Sequence, residues 1–141
     1  MSHILLTNDD GIEAEGLREL ASALAGLGTV SIVAPSREQS GSAQSLTLRQ
    51  PIVCHALGER RWAVDGTPAD CIIVALHKLL PERPDLVISG INHGGNLGEN
   101  VYYSGTVGAA REAHGAAPGI GHVHIQQDLL GQSFAQDQVG G

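Results

Sequence analysis

Two adjacent carboxylates after a short apolar run are the residues of this chain whose types and spacing best suit chemistry. The run His3–Thr7 is followed by Asn8, Asp9, Asp10 and Gly11. So short a run predicts a buried parallel strand rather than a helix, and the glycine permits a sharp turn after it. Ligands of open α/β sheets bind beyond the carboxyl ends of the strands. The two carboxylates are therefore expected to border a ligand crevice.

The closeness of these two charges indicates how the crevice would be used. Neighbouring carboxylates repel each other unless a cation compensates them or one pKa shifts. A hard divalent ion bound by oxygen ligands is one solution. The alternative is a solvated turn, because Asp and Gly are common turn residues. The residues Asp9 and Asp10 alone leave both interpretations open.

Two later segments are expected to reach the same crevice. The apolar runs Val30–Ala34 and Asp85–Ser89 predict further strands, and each is followed by a loop rich in small polar residues. If the strands are parallel, their loops emerge at one edge of the sheet. Carboxylate, hydroxyl and amide oxygens suit Mg²⁺ or Mn²⁺ rather than zinc. The residues predicted to hold one such ion are Asp9, Asp10, Ser40 and Asn92.

A second segment is typical of an anion site. Ser104, Gly105 and Thr106 precede a short predicted helix over residues 107–113. Free backbone N–H groups and the helix dipole favour a phosphate there, and Asn96 in the preceding glycine-rich loop is placed to donate to the same anion. A plain helix cap is the alternative. The sequence contains neither a Walker A loop nor a GxGxxG fingerprint after the first strand.

The order of predicted elements gives the fold class. Leucines recur at helical spacing between residues 17 and 27, and two short strands over 51–57 and 61–64 form a hairpin-like pair. Thr67 and Pro68 mark the start of a buried helix that continues to Leu80. This β-α-β alternation predicts an α/β fold, a Rossmann-like three-layer α/β/α sandwich with a mostly parallel sheet.

Composition narrows the class of partner. The net charge of −7 argues against binding a nucleic acid polymer, and the low aromatic content of 3% leaves few side chains on which bases could stack. No apolar run approaches membrane-spanning length and no basic-then-apolar leader opens the chain. Cys54 and Cys71 lack CxxC spacing and are expected to be free thiols. We therefore expect a soluble cytoplasmic protein without a membrane partner.

Several segments, taken together, resemble the SurE (survival protein) family of metal-dependent 5′-nucleotidases. They occur in the family's order and are far more specific together than any one motif. Those that carry the resemblance most clearly are Leu6–Gly11, Gln39–Gly41 with Ser45–Thr47, Gly66–Cys71, Ser89–Asn92 with Asn96–Gly98, and Tyr103–Val107.

The resemblance implies a reaction and a set of site residues. Asp9, Asp10, Ser40 and Asn92 match the family's metal ligands. Apart from the resemblance, we expect one of the two aspartates, with the choice left open by the sequence, to accept a proton from the attacking water. Asn96 and the turn Ser104–Thr106 match its phosphate-binding region. The implied activity is phosphate removal from nucleoside 5′-monophosphates with one Mg²⁺ or Mn²⁺, extending in some relatives to 3′-nucleotides and short polyphosphate. The implied assembly is a homodimer or homotetramer.

The resemblance covers residues 1–112, which predicts an incomplete nucleotidase core that is truncated on its C-terminal side. Residues 113–141 are rich in glycine and glutamine and lack lysine and arginine from His114 onward, so we expect a divergent, irregular tail. Without a strand after 85–89, the sheet edge would be open and the fold marginally stable. Two functions follow: an active phosphomonoesterase, or a catalytically inactive nucleotide- or metal-binding module.

Overall fold

A mostly parallel sheet forms the centre of the protein in the computed structural model, which describes residues 2–38, 51–93, 120–127 and 133–139. Within these ranges the sheet has seven strands in the order β3-β4-β2-β1-β5-β6-β7. Neighbouring strands are parallel except for the outer pairs β3–β4 and β6–β7, which are antiparallel. The strands are β1 Ser2–Thr7, β2 Gly28–Pro35, β3 Cys54–Gly58, β4 Arg61–Val64, β5 Leu86–His93, β6 Gly121–Gln127 and β7 Ser133–Val139.

Two helices in the described ranges cover the sheet. The first, α1, spans Glu15–Leu24, and the second, α2, spans Pro68–Val74 and continues as a π-helical turn over Ala75–Leu79. The start of α2 is fixed by a reciprocal cap. The Asp70 N–H donates to Thr67 Oγ1 at 3.0 Å, and the Thr67 N–H donates to Asp70 Oδ2 at 2.9 Å. The predicted helix start at Thr67 and Pro68 is thus confirmed.

The alternation of β1 side chains divides the core into two layers. Leu5 packs on one face of the sheet with Cys71 and Ile72 of α2. Ile4 and Leu6 pack on the other face, in one cluster with two leucines of α1, Leu17 and Leu20. Helices on both faces of a mostly parallel sheet define the three-layer α/β/α sandwich, as the sequence predicts.

The C-terminal segment differs from the sequence expectation. The sequence predicts an irregular tail over 113–141, whereas the structure forms β6 and β7 within it. Composition is a poor guide here, because the main chain of β6 pairs with a strand on each side, and every residue except proline brings the main-chain donor and acceptor that such pairing uses. Ile120 also joins the core cluster of Leu5 and is 1% exposed. The edge of β5 is therefore covered, and the truncated sheet that the sequence predicts is extended by two strands.

The strand β5 runs further than predicted. It continues to His93, although the sequence predicts a glycine-rich loop from Gly90. Its pairing with β6 is interrupted by a bulge between Ser89 and Asn92, where Gly90 has φ +146°. That dihedral is one that only glycine adopts readily. The predicted helix over 107–113 lies outside the described residues, and the division of the chain at residue 112 stays a prediction.

Candidate functional site

The turn after β1 is closed by the side chain of Asn8, which is fully buried. Its Nδ2 donates to the Gly11 carbonyl oxygen at 2.9 Å, and its Oδ1 accepts from the Gly11 N–H at 3.2 Å. The side-chain amide of Asn8 therefore satisfies both backbone groups of Gly11, and Asp9 and Asp10 lie in the turn between Asn8 and Gly11. We call residues 8–11 the acidic turn.

The chain that follows β2 packs directly on the acidic turn. Ile12 N–H donates to the carbonyl oxygen of Pro35, the last residue of β2, at 2.7 Å. Gly11 has φ +109°, and a Cβ added there would lie 3.2 Å from the Arg37 carbonyl carbon and 3.3 Å from the Glu38 nitrogen. A residue without a side chain is thus required at position 11 both by its dihedral angle and by this close approach.

The two carboxylates of the acidic turn differ in exposure. Asp9 is 9% exposed and its Oδ1 is shielded from solvent, while Asp10 is half-buried. Two neighbouring acidic groups, one of them buried at the carboxyl end of a strand, form an electronegative position that favours a cation. The oxygen donors of the turn therefore fit the predicted divalent ion.

The strand β5 brings Asn92 to the same end of the sheet. Thr7, the last residue of β1, is in register with Ser89 of the parallel strand β5. The bulge follows, and the backbone of Asn92 then lies opposite Gln126 of β6. A bulge adds one residue to a strand and changes its alternation at that point. The backbone of Asn92 is thus beyond the end of β1 on the neighbouring strand.

The remaining predicted site residues cannot be placed. Ser40, Asn96, Ser104, Gly105 and Thr106 lie outside the described residues. Within the described ranges, no group of three or more His, Cys, Asp or Glu side chains could hold a metal. The predicted site has only two acidic residues, completed by a serine hydroxyl and an asparagine amide, so it would not count as such a group. The predicted ligand set therefore stays a prediction.

A third carboxylate, which the sequence analysis missed, lies at the same edge of the sheet. Asp65 directly follows β4 and accepts a hydrogen bond from Ser36 Oγ at 2.6 Å through its Oδ1. Its Oδ2 lies 3.1 Å from Nε2 of His55. The Ser36 hydroxyl, followed by His55, lowers the pKa of the Asp65 carboxyl from its ordinary value. The position directly after a predicted strand was the available signal for this residue.

Asp65 lines a cleft beside the acidic turn. The cleft has a volume of about 310 Å³ and is bordered by Ser36, Arg37, Asp65 and Gly66. We call it the Asp65 cleft. Arg37 connects the two features, because it borders the cleft and its backbone approaches Gly11.

Beneath the acidic turn lies a thiol that plays no nucleophilic part. Cys71 is fully buried and is adjacent to the Thr7 hydroxyl. Burial, together with the charge of Asp70, raises the pKa of the Cys71 thiol well above its ordinary value. A thiol in this state is protonated at neutral pH and acts as a small apolar side chain. As predicted, both cysteines are free.

The chain is similar to proteins of one family over most of its length. Residues 4–123 match the family described as Survival protein SurE, a match that continues past residue 112. A protein of Pelobacter propionicus named 5′-nucleotidase SurE is 58% identical over 111 residues, which are 79% of this chain and 45% of that protein. One of the same name from Gemmatimonas aurantiaca is 59% identical over 140 residues, 97% of this chain and 55% of that protein. The chain thus spans about half the length of the curated relatives it matches.

The fold is also found in a solved structure. The crystal structure of the SurE protein from Aquifex aeolicus superimposes with a TM-score of 0.71 and 27% identity, covering 96% of this chain and 82% of that one. In the described part of the present chain, both helices are too short to cross a membrane.

Proposed function

The chain belongs to the SurE family, and from this premise we propose that it is a metal-dependent phosphomonoesterase that releases phosphate from nucleoside 5′-monophosphates. The observation that carries the proposal is the acidic turn, in which Asn8 holds two adjacent carboxylates at the carboxyl ends of β1 and β2. The relatives named 5′-nucleotidase SurE support this choice of reaction. The wider substrate range of 3′-nucleotides and short polyphosphate belongs to the same proposal, as does a homodimer or homotetramer.

We infer that Asp9, Asp10, Ser40 and Asn92 hold one Mg²⁺ or Mn²⁺. When bound, the ion supplies positive charge that stabilises the phosphoryl oxygens in the transition state. The carboxylates provide the negative charge that attracts the ion, and the hydroxyl and amide oxygens complete its coordination without adding charge.

The protein's own groups perform the remaining steps. Backbone N–H groups of Ser104, Gly105 and Thr106, with the Asn96 side chain, bind the phosphoryl oxygens and orient the phosphorus. One carboxylate of the acidic turn takes a proton from the attacking water as the new P–O bond forms. The bond from phosphorus to the 5′-oxygen breaks, that oxygen takes a proton from solvent water, and the nucleoside leaves as an alcohol.

A carboxylate-to-amide substitution tests the reaction. We expect hydrolysis of 5′-AMP with Mn²⁺ to be abolished by EDTA and restored by added Mn²⁺. Asp9→Asn should lower kcat/KM by about 100-fold or more, the range for loss of a positioned acid or base. The matched control is Glu59→Gln, which removes one exposed carboxylate from the turn before β4. This turn lies at the amino end of β4, whereas the acidic turn lies at the carboxyl end of β1.

Two results would contradict the proposal. Turnover that persists in EDTA would exclude the metal-dependent reaction, and full activity in Asp9→Asn would exclude the acidic turn as its centre. Binding of Mn²⁺ or nucleotide in calorimetry, without phosphate release, would instead support the inactive binding module.

A further inference from the structure

The Asp65 cleft contains a carboxylate that the proposed hydrolysis does not use. It lies at the same edge of the sheet as the acidic turn, because β4, β2 and β1 are consecutive parallel neighbours. Pro35 and Val64 are in register at the ends of β2 and β4, so Ser36 and Asp65 leave the sheet side by side. Since neighbouring strands are about 4.8 Å apart, the ends of β4 and β1 are separated by roughly 10 Å. That is the scale of a nucleoside.

The groups around the cleft select a ligand that donates hydrogen bonds. An ionised carboxylate only accepts, and its two oxygens offer about four acceptor positions. Ser36 and His55 each engage one oxygen of Asp65, which fixes the carboxylate and leaves acceptor positions for a ligand. Because its pKa is lowered, Asp65 is ionised at neutral pH. Arg37 also borders the cleft, and its positive charge helps to lower the pKa of Asp65. A sugar with two neighbouring hydroxyls suits this position, because hydroxyl groups can donate to the carboxylate and carry no charge of their own.

The shape of the cleft agrees with this choice. Gly66 contributes no side chain to its wall, and a Cβ there would lie 2.7 Å from Asp70 Oδ2, one of the atoms that cap α2. No aromatic ring is among the residues that border the cleft, so stacking on a base has no platform in the part the structure describes. Among the described residues that border the cleft, Asp65 is the carboxylate that Ser36 and His55 hold in place as an acceptor.

We propose that the Asp65 cleft binds the ribose of a nucleoside 5′-monophosphate, with Asp65 accepting hydrogen bonds from the 2′- and 3′-hydroxyls. The inference rests on the proposed function for its substrate class and adds a determinant of sugar specificity to it. A site built to accept from a hydroxyl discriminates against an analogue that lacks it. The protein is accordingly selective for ribonucleotides over 2′-deoxyribonucleotides.

The test compares kcat/KM for AMP and 2′-deoxy-AMP in the presence of Mn²⁺. The wild type should favour AMP by about tenfold or more, the usual value of a hydrogen bond to a charged group. Asp65→Asn should bring the ratio close to one, mainly by raising KM for AMP. Ser36→Ala, which removes a hydrogen bond that orients Asp65, should give an intermediate ratio. Glu59→Gln, at the opposite edge of the sheet, should keep the wild-type ratio.

Two further measurements separate this inference from the proposed function. Hydrolysis of an aryl phosphate, which has no ribose, reports the phosphomonoesterase reaction of the wild type independently of the cleft. Calorimetric binding of adenosine and 2′-deoxyadenosine reports the cleft even if no substrate is hydrolysed. A wild-type ratio near one with equal binding of the two nucleosides would overturn the ribose site, and so would an unchanged ratio in a folded Asp65→Asn.

Discussion

Replacing Gly11 by alanine is the sharpest perturbation of the acidic turn that the structure offers. Residue 11 has φ +109°, outside the regions open to side-chain-bearing residues. The new Cβ would also lie 3.2 Å from the Arg37 carbonyl carbon and 3.3 Å from the Glu38 nitrogen. Both neighbours are backbone atoms, so neither can rotate away as the end of a side chain would.

The size of the effect follows from these two contributions. A residue held in a sparsely populated backbone conformation costs of order 1–3 kcal/mol, and extra volume in a packed position typically adds about 1–3 kcal/mol. Because movement of the 37–38 segment relieves part of both, we expect Gly11→Ala to lower the free energy of unfolding by about 2–4 kcal/mol. The same movement displaces Asp9 and Asp10, and a misplacement of about 1 Å can lower turnover about 100-fold.

Urea denaturation followed by circular dichroism measures the free energy of unfolding. Gly26→Ala is the matched control, because a Cβ at Gly26 meets nothing within 4 Å and its φ is not positive. That variant should stay within about 0.5 kcal/mol of the wild type. If Gly11→Ala unfolds within the same margin, the strain and the close approach at the acidic turn do not exist as described.

Two further predictions concern groups next to the acidic turn. Asn8→Asp replaces the amide that donates to the Gly11 carbonyl with an acceptor, so the free energy of unfolding should fall by about 1–3 kcal/mol. A protonated carboxyl can still donate to the Gly11 carbonyl, whereas an ionised one cannot. The loss should therefore be larger at pH 8 than at pH 5 in denaturant titrations, and equal losses at the two pH values would contradict this prediction. Burial raises the pKa of Cys71, so above about pH 8.5 the unfolded thiol ionises while the folded one stays protonated. The folding equilibrium should then weaken by up to tenfold per pH unit; Cys71→Ala should show a shallower alkaline decline in thermal denaturation, and parallel declines would refute this.

The elements with strong local signals could be predicted from the sequence. The short apolar run His3–Thr7 predicts a strand that is buried on both faces, and it forms most of β1. Thr67 and Pro68 carry the cap of α2 within four residues, so the helix start is encoded locally. The strands β6 and β7 could not be predicted in the same way, because they are recognised by their pairing with β5 and with each other, which joins residues that are distant along the chain.

The residues of the candidate site differ in the same way, since some carry a local signal and others depend on long-range contacts. Asp9 and Asp10 stand out because they follow an apolar run directly, which is a local signal. Asp65 also follows a strand, but its importance comes from Ser36 and His55, which are 29 and 10 residues away along the chain. Contacts between distant residues leave no trace in local spacing, so the Asp65 cleft became visible only in the folded structure.

The central position of β1 has a consequence for the order in which the protein can be assembled during synthesis. Its neighbour β2 begins only 21 residues after β1 ends, whereas the contact between the His3 N–H and Asp85 Oδ2 beside β5 joins residues 82 positions apart. A nascent chain that ends before residue 86 therefore contains the acidic turn and the Asp65 cleft but lacks the strand on the other side of β1. The ribosome must deliver the chain as far as His93, the last residue of β5, before both flanks of the site exist.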